Sequence, residues 1–194
     1  MRGVRGVGNR VLWLGGVMRV GLAKAGGISI GPHARIAPMT LLTPGFRGKS
    51  GRLCLGANIV IEHGVVLNAF GGAILTGKNV FIGPYVVIYG HGGVTIGNDC
   101  LIGAHSRILS SNHDVPPMSV TIRSRDDILA STTIGRDVWL GAGVTVLAGV
   151  TIGDGCVIGA GAVVADNLPA GAIAVGAPAR ITRFRDGAPE APPS

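Results

Sequence analysis

Residues suited to acid–base chemistry stand together at positions 110–114, where the chain reads SSNHD. A neutral imidazole can accept a proton from a hydroxyl group, so His113 is a candidate general base for group transfer to an alcohol. Asp114 could orient the ring or simply solvate the loop. A lone histidine is more often structural, and that alternative stays open at this point. His91 is a second candidate, as a residue that lines an acceptor pocket.

Motifs for several other chemistries are absent from the chain. It contains no GxxxxGK[ST] or HExxH sequence. The sequence therefore gives no support for phosphoryl transfer on a P-loop or for zinc-dependent hydrolysis.

An aliphatic residue recurs at every sixth position after this segment, at Ile134, Leu140, Val146, Ile152, Ile158 and Val164. A period of six fits the strand period of two but not the helical period of 3.6, so each hexad is predicted to be a short strand that ends in a turn. Glycine follows most of these aliphatic residues, and a tight turn would explain it, because glycine reaches backbone angles that a Cβ atom penalises. The pattern predicts a parallel β-helix whose coils bury their aliphatic ladders by stacking.

The same spacing is less regular earlier in the chain. It begins at Ile30 and Ile36, is interrupted from Pro38 to Arg52, and returns at Leu55. We predict a loop or an irregular coil for the interruption. Steps of eight residues, from 74 to 82 and from 88 to 96, predict two-residue insertions at corners of the coil.

One long excursion leaves the repeat between Ile108 and Ile134, where about 20 residues, roughly 110–131, fall outside the coil. A loop of that length in a compact domain is usually functional. His113 lies at its base.

Composition agrees with one all-β domain. The 194 residues include 34 glycines and 47% hydrophobic residues, and the six-residue period excludes collagen. Cys100 and Cys156 occupy small buried positions of their hexads, and with Cys54 they are interpreted as core residues in a reducing compartment. We predict a basic and apolar cap segment at residues 1–27, the β-helix at 28–184 and a disordered tail at 185–194.

Positive charge is concentrated near the start of the chain, where residues 1–61 contain nine Lys or Arg and no acid. A solvated surface, an anionic lipid and a phosphate-bearing substrate could each account for it; nucleic acid is not expected, because no stacking aromatic residues accompany the charges. Asn9 to Leu22 is predicted to form an amphipathic helix that caps the solenoid or lies on a membrane surface. Arg19 interrupts its apolar run, which disfavours a membrane span and a signal peptide.

The sequence SSNHDVPP, followed by TTIGRDVWLGAGVTVLAGVTIGDGCVIGAGAVVADNLPAGAIAVGAPARITR, resembles the hexapeptide-repeat acetyltransferases of the sugar O-acetyltransferase branch. Galactoside, maltose and colanic-acid acetyltransferases belong to that branch. The resemblance is specific over residues 113–183 and rests only on the hexad spacing over residues 28–108. It implies a left-handed β-helix and a homotrimer with acyl-CoA sites between subunits.

The resemblance also implies roles for individual residues. His113 matches the catalytic histidine of the family. Trp139, Ala142, Ala160 and Ala165 match positions that contact the thioester and the pantetheine arm, although relatives often carry Thr where this chain has Ala165. Arg180 and Arg183 match residues that meet the CoA phosphates, for which guanidinium groups are well suited. The alternative for these two arginines is a solvated basic tail.

These observations predict an acetyl-CoA-dependent O-acetyltransferase that acts on a sugar hydroxyl in polysaccharide or lipopolysaccharide decoration. The acceptor would be a small or lipid-linked sugar, and neither a metal nor another cofactor is expected. We expect a cytoplasmic protein whose basic N-terminus could touch the inner face of the membrane. The alternatives are an antibiotic or amino-sugar N-acetyltransferase and a non-catalytic or metal-dependent β-helix protein.

Overall fold

The computed structural model describes residues 12–14, 17–20, 23–46 and 48–188. They form a left-handed parallel β-helix of about six coils, which confirms the predicted fold class. The strands, in chain order, are β1 (Leu12–Leu14), β2 (Val17–Val20), β3 (Ala23–Ala25), β4 (Ile28–Ile30), β5 (Ala34–Ile36), β6 (Leu41–Thr43), β7 (Arg52–Leu55), β8 (Val60–Ile61), β9 (Val66–Asn68), β10 (Ala73–Thr76), β11 (Phe81–Ile82), β12 (Val87–Tyr89), β13 (Val94–Ile96), β14 (Leu101–Ile102), β15 (Arg107–Ile108), β16 (Ser111–His113), β17 (Asp127–Leu129), β18 (Thr132–Ile134), β19 (Trp139–Leu140), β20 (Thr145–Val146), β21 (Thr151–Ile152), β22 (Val157–Ile158), β23 (Val163–Val164), β24 (Ala172–Val175) and β25 (Arg180–Phe184). A single 3-10 turn, Ile122–Ser124, accompanies the strands in the described part of the chain.

Each coil contributes one strand to each of three sheets, which we call B, A and C in the order in which the chain visits them. Sheet B runs β3-β4-β7-β10-β13-β18-β21, sheet A runs β1-β2-β5-β8-β11-β14-β19-β22-β24-β25, and sheet C runs β6-β9-β12-β15-β20-β23. The three corners between them are the B–A, A–C and C–B corners. Inward aliphatic residues stack in register, as in the buried series Ile61, Ile82, Ile102 and Leu140 of sheet A. Burial of each such side chain stabilises the fold by about 1.5–3 kcal/mol.

The repeat extends further than its sequence spacing suggests. Leu42, six residues after Ile36, pairs with Leu67 in sheet C, so β6 lies inside the segment that was predicted to be irregular. Thr76 is aligned with Ile96, so it takes the place of the aliphatic residue that recurs at every sixth position. Ile74 is aligned with Val94, two residues earlier in the strand. The predicted two-residue insertion between 74 and 82 is therefore wrong, because Thr76 and Ile82 keep the spacing of six. The extra residues precede β10 instead.

The glycines that follow the aliphatic residues have a different role from the predicted one. A Cβ atom on Gly141 would lie 2.6 Å from the backbone nitrogen of Ala160 in the next coil, and Gly141 does not have a positive φ. These glycines permit close stacking of coils. Positive φ falls two residues later, at Gly143 for example, and at Asp137 in an equivalent turn.

The start of the chain differs from its prediction. Within the segment from Asn9 to Leu22, the described residues are the strands β1 and β2, so a helix there is wrong. Strand β2 pairs antiparallel with β5, and β3 pairs antiparallel with β4, which extends sheets A and B beyond the first coil. Residues 1–11, 15–16 and 21–22 lie outside the described residues, and the cap role of 1–27 stays a prediction. No helix in the described part is long and apolar enough to cross a membrane.

The end of the chain and the cysteines complete the fold. Arg185 donates from Nη1 to the Asp137 carboxylate at 2.8 Å, so residues 185–188 pack on the solenoid rather than form a free tail; residues 189–194 lie outside the described part. Cys100 and Cys156 are buried free thiols, as expected, and burial raises the pKa of both.

Candidate functional site

The long excursion is a two-stranded hairpin at the C–B corner. Strands β16 and β17 pair antiparallel, and His113 lies directly opposite Asp127. Between them the chain turns through residues 114–126, which include the 3-10 turn. Directly opposed side chains of an antiparallel pair are close enough to interact. The pairing therefore fixes His113 on a strand.

His113 and Asp127 form a close pair. Nδ1 of the imidazole lies 2.8 Å from Oδ1 of the carboxylate. The carboxylate therefore favours the tautomer that carries its proton on Nδ1, which leaves Nε2 available to accept a proton. The His113 side chain is 74% exposed, so a substrate can reach it. Sequence reasoning missed Asp127, since its register with His113 depends on a hairpin whose connection is 13 residues long.

Asp114 has a different partner. Its carboxylate accepts a hydrogen bond from Nε of Arg125 at 2.8 Å, and no hydrogen bond to His113 is found among the described residues. The Asp114–Arg125 pair ties the two sides of the hairpin together. Asp127, rather than Asp114, is thus the carboxylate that lies beside the His113 ring.

His91 approaches the same carboxylate from the preceding coil. Its Nε2 lies 4.0 Å from Oδ2 of Asp127, and its ring stacks on Phe70 with centroids 3.9 Å apart. Burial lowers the pKa of His91, although the charge of Asp127 acts in the opposite direction. Nδ1 of His91 is buried with no hydrogen-bond partner in the described part. Burial thus favours the neutral form of the His91 ring beside the His113–Asp127 pair.

These groups line a cavity of about 780 Å³ that runs along the C–B corner. Successive coils contribute Phe46 and Lys49, then Phe70, then His91, and finally His113. Phe46 and Phe70 meet edge to face at 5.1 Å. The cavity is of the size that binds small molecules, and it joins an apolar wall to polar groups at one end. The sequence indicated His91 and His113, whereas Phe46, Lys49 and Phe70 carried no recognisable signal.

Trp139, Ala142 and Ala160 lie elsewhere on the chain. Trp139 is 53% exposed on the outer face of sheet A, as predicted, and it stands between Leu101 and Val157. Ala142 and Ala160 are exposed and occupy equivalent places in two adjacent coils at the A–C corner. Sheet A is the side of the prism opposite the C–B corner. One chain alone therefore does not bring Trp139 together with His113.

The other residues implied by the resemblance lie near the C-terminal end of the solenoid. Ala165 is exposed just after β23, where the C–B corner begins. Arg180 and Arg183 are exposed on β25, at the edge of sheet A. Nη1 of Arg180 lies 3.2 Å from the Asp166 carboxylate, while Arg183 makes no ion pair among the described residues.

Known proteins share both the repeat and the fold. The family model "Bacterial transferase hexapeptide (six repeats)" matches residues 74–110 and 131–166, so the hairpin falls between the two matched stretches. The Escherichia coli (strain K12) protein named "Putative lipopolysaccharide biosynthesis O-acetyl transferase WbbJ" is 35% identical over 153 residues, which cover 72% of this chain and 76% of that protein.

Two solved structures have the same architecture. The hexapeptide-repeat-containing acetyltransferase VCA0836 of Vibrio cholerae O1 biovar eltor, in complex with acetyl-CoA, has a TM-score of 0.56 and 28% identity, over 75% of this chain and 70% of that one. The N-acyltransferase AntD of Bacillus cereus, in complex with dTDP and 3-hydroxybutyryl-CoA, has a TM-score of 0.65 over 79% of this chain and 80% of that one. At 19% identity, AntD supports the fold alone.

Proposed function

The chain belongs to the bacterial hexapeptide transferase family and is an acyl-CoA-dependent acetyltransferase, and we propose that it transfers the acetyl group of acetyl-CoA to a sugar hydroxyl. The similarity to a protein named as a lipopolysaccharide O-acetyl transferase supports an acceptor in polysaccharide or lipopolysaccharide decoration. No metal takes part in the proposed reaction.

The observation that carries this proposal is the His113–Asp127 pair at one end of the cavity. A sugar hydroxyl is a weak nucleophile until its proton is removed, and the free Nε2 of His113 can accept that proton. Asp127 holds the ring in the tautomer that leaves Nε2 unprotonated and stabilises the imidazolium that forms. The pair supplies what transfer to an alcohol requires.

The reaction then follows in one transfer. The acceptor oxygen forms a bond to the thioester carbonyl carbon as its proton moves to His113 Nε2. The carbon–sulfur bond breaks, and the imidazolium returns the proton to the departing CoA sulfur. His113 ends the cycle neutral, and no acetyl group rests on the protein.

The donor site requires more than one chain in this proposal. Trp139, Ala142 and Ala160 would contact the thioester and the pantetheine arm, and Arg180 and Arg183 would bind the CoA phosphates. Because Trp139 lies on the side opposite His113, a homotrimer is proposed in which one chain supplies the His113 hairpin and its neighbour supplies sheet A. The exposed pair Leu101 and Trp139 is an apolar surface suited to such an interface.

The basic N-terminal part suggests where the enzyme works. We propose a cytoplasmic enzyme that touches anionic lipid at the inner face of the membrane through this part of the chain. The support is the nine Lys or Arg of residues 1–61, which have no acidic neighbour in sequence.

A thiol-release assay with acetyl-CoA tests the transfer. Matched acceptors are needed, each hexose being compared with its 2-amino derivative. Faster release with the hydroxyl compounds, together with an ester in the product, is the expected result. Preferential formation of an amide would replace sugar O-acetylation by amino-sugar N-acetylation, in which the amine is already nucleophilic.

A further inference from the structure

Three cations lie in or beside the cavity at the C–B corner. Lys49 and Arg123 line the cavity itself, and Arg52 lines a second cavity of about 420 Å³ that shares Gly71 and His91 with the first. None of the three forms an ion pair among the described residues. We propose that the acceptor sugar carries a phosphate group, which Lys49, Arg52 and Arg123 bind while a sugar hydroxyl faces His113. This inference rests on the proposed function of the cavity.

The position of Lys49 is built into the fold. Phe46 and Lys49 exchange two backbone hydrogen bonds, at 3.0 and 2.9 Å, so a tight turn holds both residues at the cavity wall. The Lys49 stem passes over Gly71, where φ is +89° and an added Cβ atom would lie 2.7 Å from the Lys49 Cβ atom. Glycine at 71 therefore makes room for the lysine. Lys49 and His91 line the same cavity, and the charge of Lys49 helps to lower the pKa of His91.

The acidic residues of the cavity are only partly compensated by neighbouring cations. Arg125 pairs with Asp114, whereas Asp127 lies beside the neutral ring of His113 and keeps its negative charge. Asp126 also lines the cavity and has no ion pair in the described part of the chain. Three cations thus face two uncompensated carboxylates, and the remaining positive charge favours an anionic ligand.

The spacing of the groups suits a phosphate attached to a sugar. Lys49 belongs to the turn after the first coil and His113 to the turn after the fourth, and coils stack about 4.8 Å apart. The backbones of the two residues are therefore separated by about 14 Å along the solenoid, while both side chains line the same cavity. A sugar with a phosphate or diphosphate on its anomeric carbon can contact both side chains. Arginine and lysine are the side chains that proteins use to bind phosphate oxygens.

The test is calorimetric binding of inorganic pyrophosphate to protein saturated with CoA, because CoA then occupies its own phosphate site. We expect measurable binding to the wild-type chain and at least a tenfold weaker affinity in Lys49→Ala/Arg123→Ala. The matched control is Lys78→Ala/Arg107→Ala, which removes the same charges from exposed positions that do not line either cavity and should bind as the wild type does.

Two further ligands separate the sources of such a phosphate. Tighter binding of uridine diphosphate than of pyrophosphate supports a nucleotide-linked sugar, and tighter binding of farnesyl diphosphate supports a lipid-linked sugar. No binding of any of the three to the CoA-saturated wild type would overturn the phosphate site, and so would equal affinities in the cavity variant and its control. Since no acetyl transfer is measured, a failure of the catalytic proposal would leave this result unaffected and distinguishable.

Discussion

The A–C corner and the C–B corner of this solenoid follow different rules. Across the A–C corner, each of the six coils takes six residues from one ladder position to the next, as from Ile102 to Ile108 and from Leu140 to Val146. Across the C–B corner the step is 13 residues after Leu42, 9 after Leu67, 8 after Ile88, 26 after Ile108 and 6 after Val146. All of the irregularity of the repeat falls on one edge of the prism.

The two corners therefore have different roles. The A–C corner, which we call the constant corner, keeps successive coils in register, and the stacking of the aliphatic residues depends on it. The C–B corner, which we call the variable corner, can lengthen without disturbing that stacking, and each added segment brings side chains to the same edge. Phe46, Phe70, His91 and His113 all come from such segments. A solenoid can thus assemble a site along one edge while the remaining surface stays repetitive.

The largest stability effect is expected at the constant corner. Gly141→Ala places a methyl group 2.6 Å from the backbone nitrogen of Ala160, and we expect it to lower the free energy of unfolding by about 3 kcal/mol. Gly161→Ala adds a methyl group with nothing within 4 Å, so it should cost only the 1–2 kcal/mol or so of a left-handed backbone at φ +71°. Urea denaturation measures both. If both variants lose the same free energy of unfolding, the close approach of neighbouring coils is not what requires glycine at position 141.

At the variable corner, Asp127→Asn should lower kcat by about 10- to 100-fold, equivalent to about 1.4–2.8 kcal/mol in the transition state. An amide can no longer hold the His113 ring in one tautomer or stabilise the imidazolium. The KM for acetyl-CoA should not change, which distinguishes loss of positioning from loss of structure. Asp114→Asn is the control within the same hairpin, and it should stay within about threefold of wild type because its partner is Arg125. A larger loss for Asp114 than for Asp127 would reverse their roles.

The smallest effect concerns pH and His91. Burial lowers the folded-state pKa of His91 below its ordinary value of 6.5, so the unfolded chain binds a proton more readily than the folded chain does. Stability from this group is therefore present above about pH 6.5 and is lost as the pH falls below it. His91→Phe should flatten the fall in the urea midpoint between pH 7 and 5. An unchanged slope would show that the ring is not buried in its neutral form.

Much of the fold was predictable because the buried aliphatic residues recur at every sixth position of the sequence. The errors have physical causes. Thr76 holds a ladder position with a polar residue, so its neighbour Ile74 was mistaken for the ladder. The glycines after the aliphatic residues were predicted to supply unusual backbone angles, whereas they allow the close approach of neighbouring coils. That approach depends on residues 16 or more positions away. Strands β1 and β2 were mistaken for a helix because a short apolar run does not distinguish the two.

The candidate site was less predictable. His113 was found because it begins the one long excursion, and His91 because it lies at an irregular corner. Asp127 was missed because its contact with His113 depends on the register of a hairpin. Lys49 and Phe70 come from different coils and meet only when those coils stack, and no spacing along the chain encodes that contact.

The measurement that tests the catalytic role of the variable corner most directly is the turnover of His113→Ala. If His113 removes the proton of the acceptor hydroxyl, kcat should fall by about 10²- to 10⁴-fold, while the affinity for CoA and the sedimentation behaviour stay those of the wild type. A His113→Ala enzyme that turns over within about threefold of the wild type at saturating substrates would contradict that role and leave the hairpin only to shape the cavity.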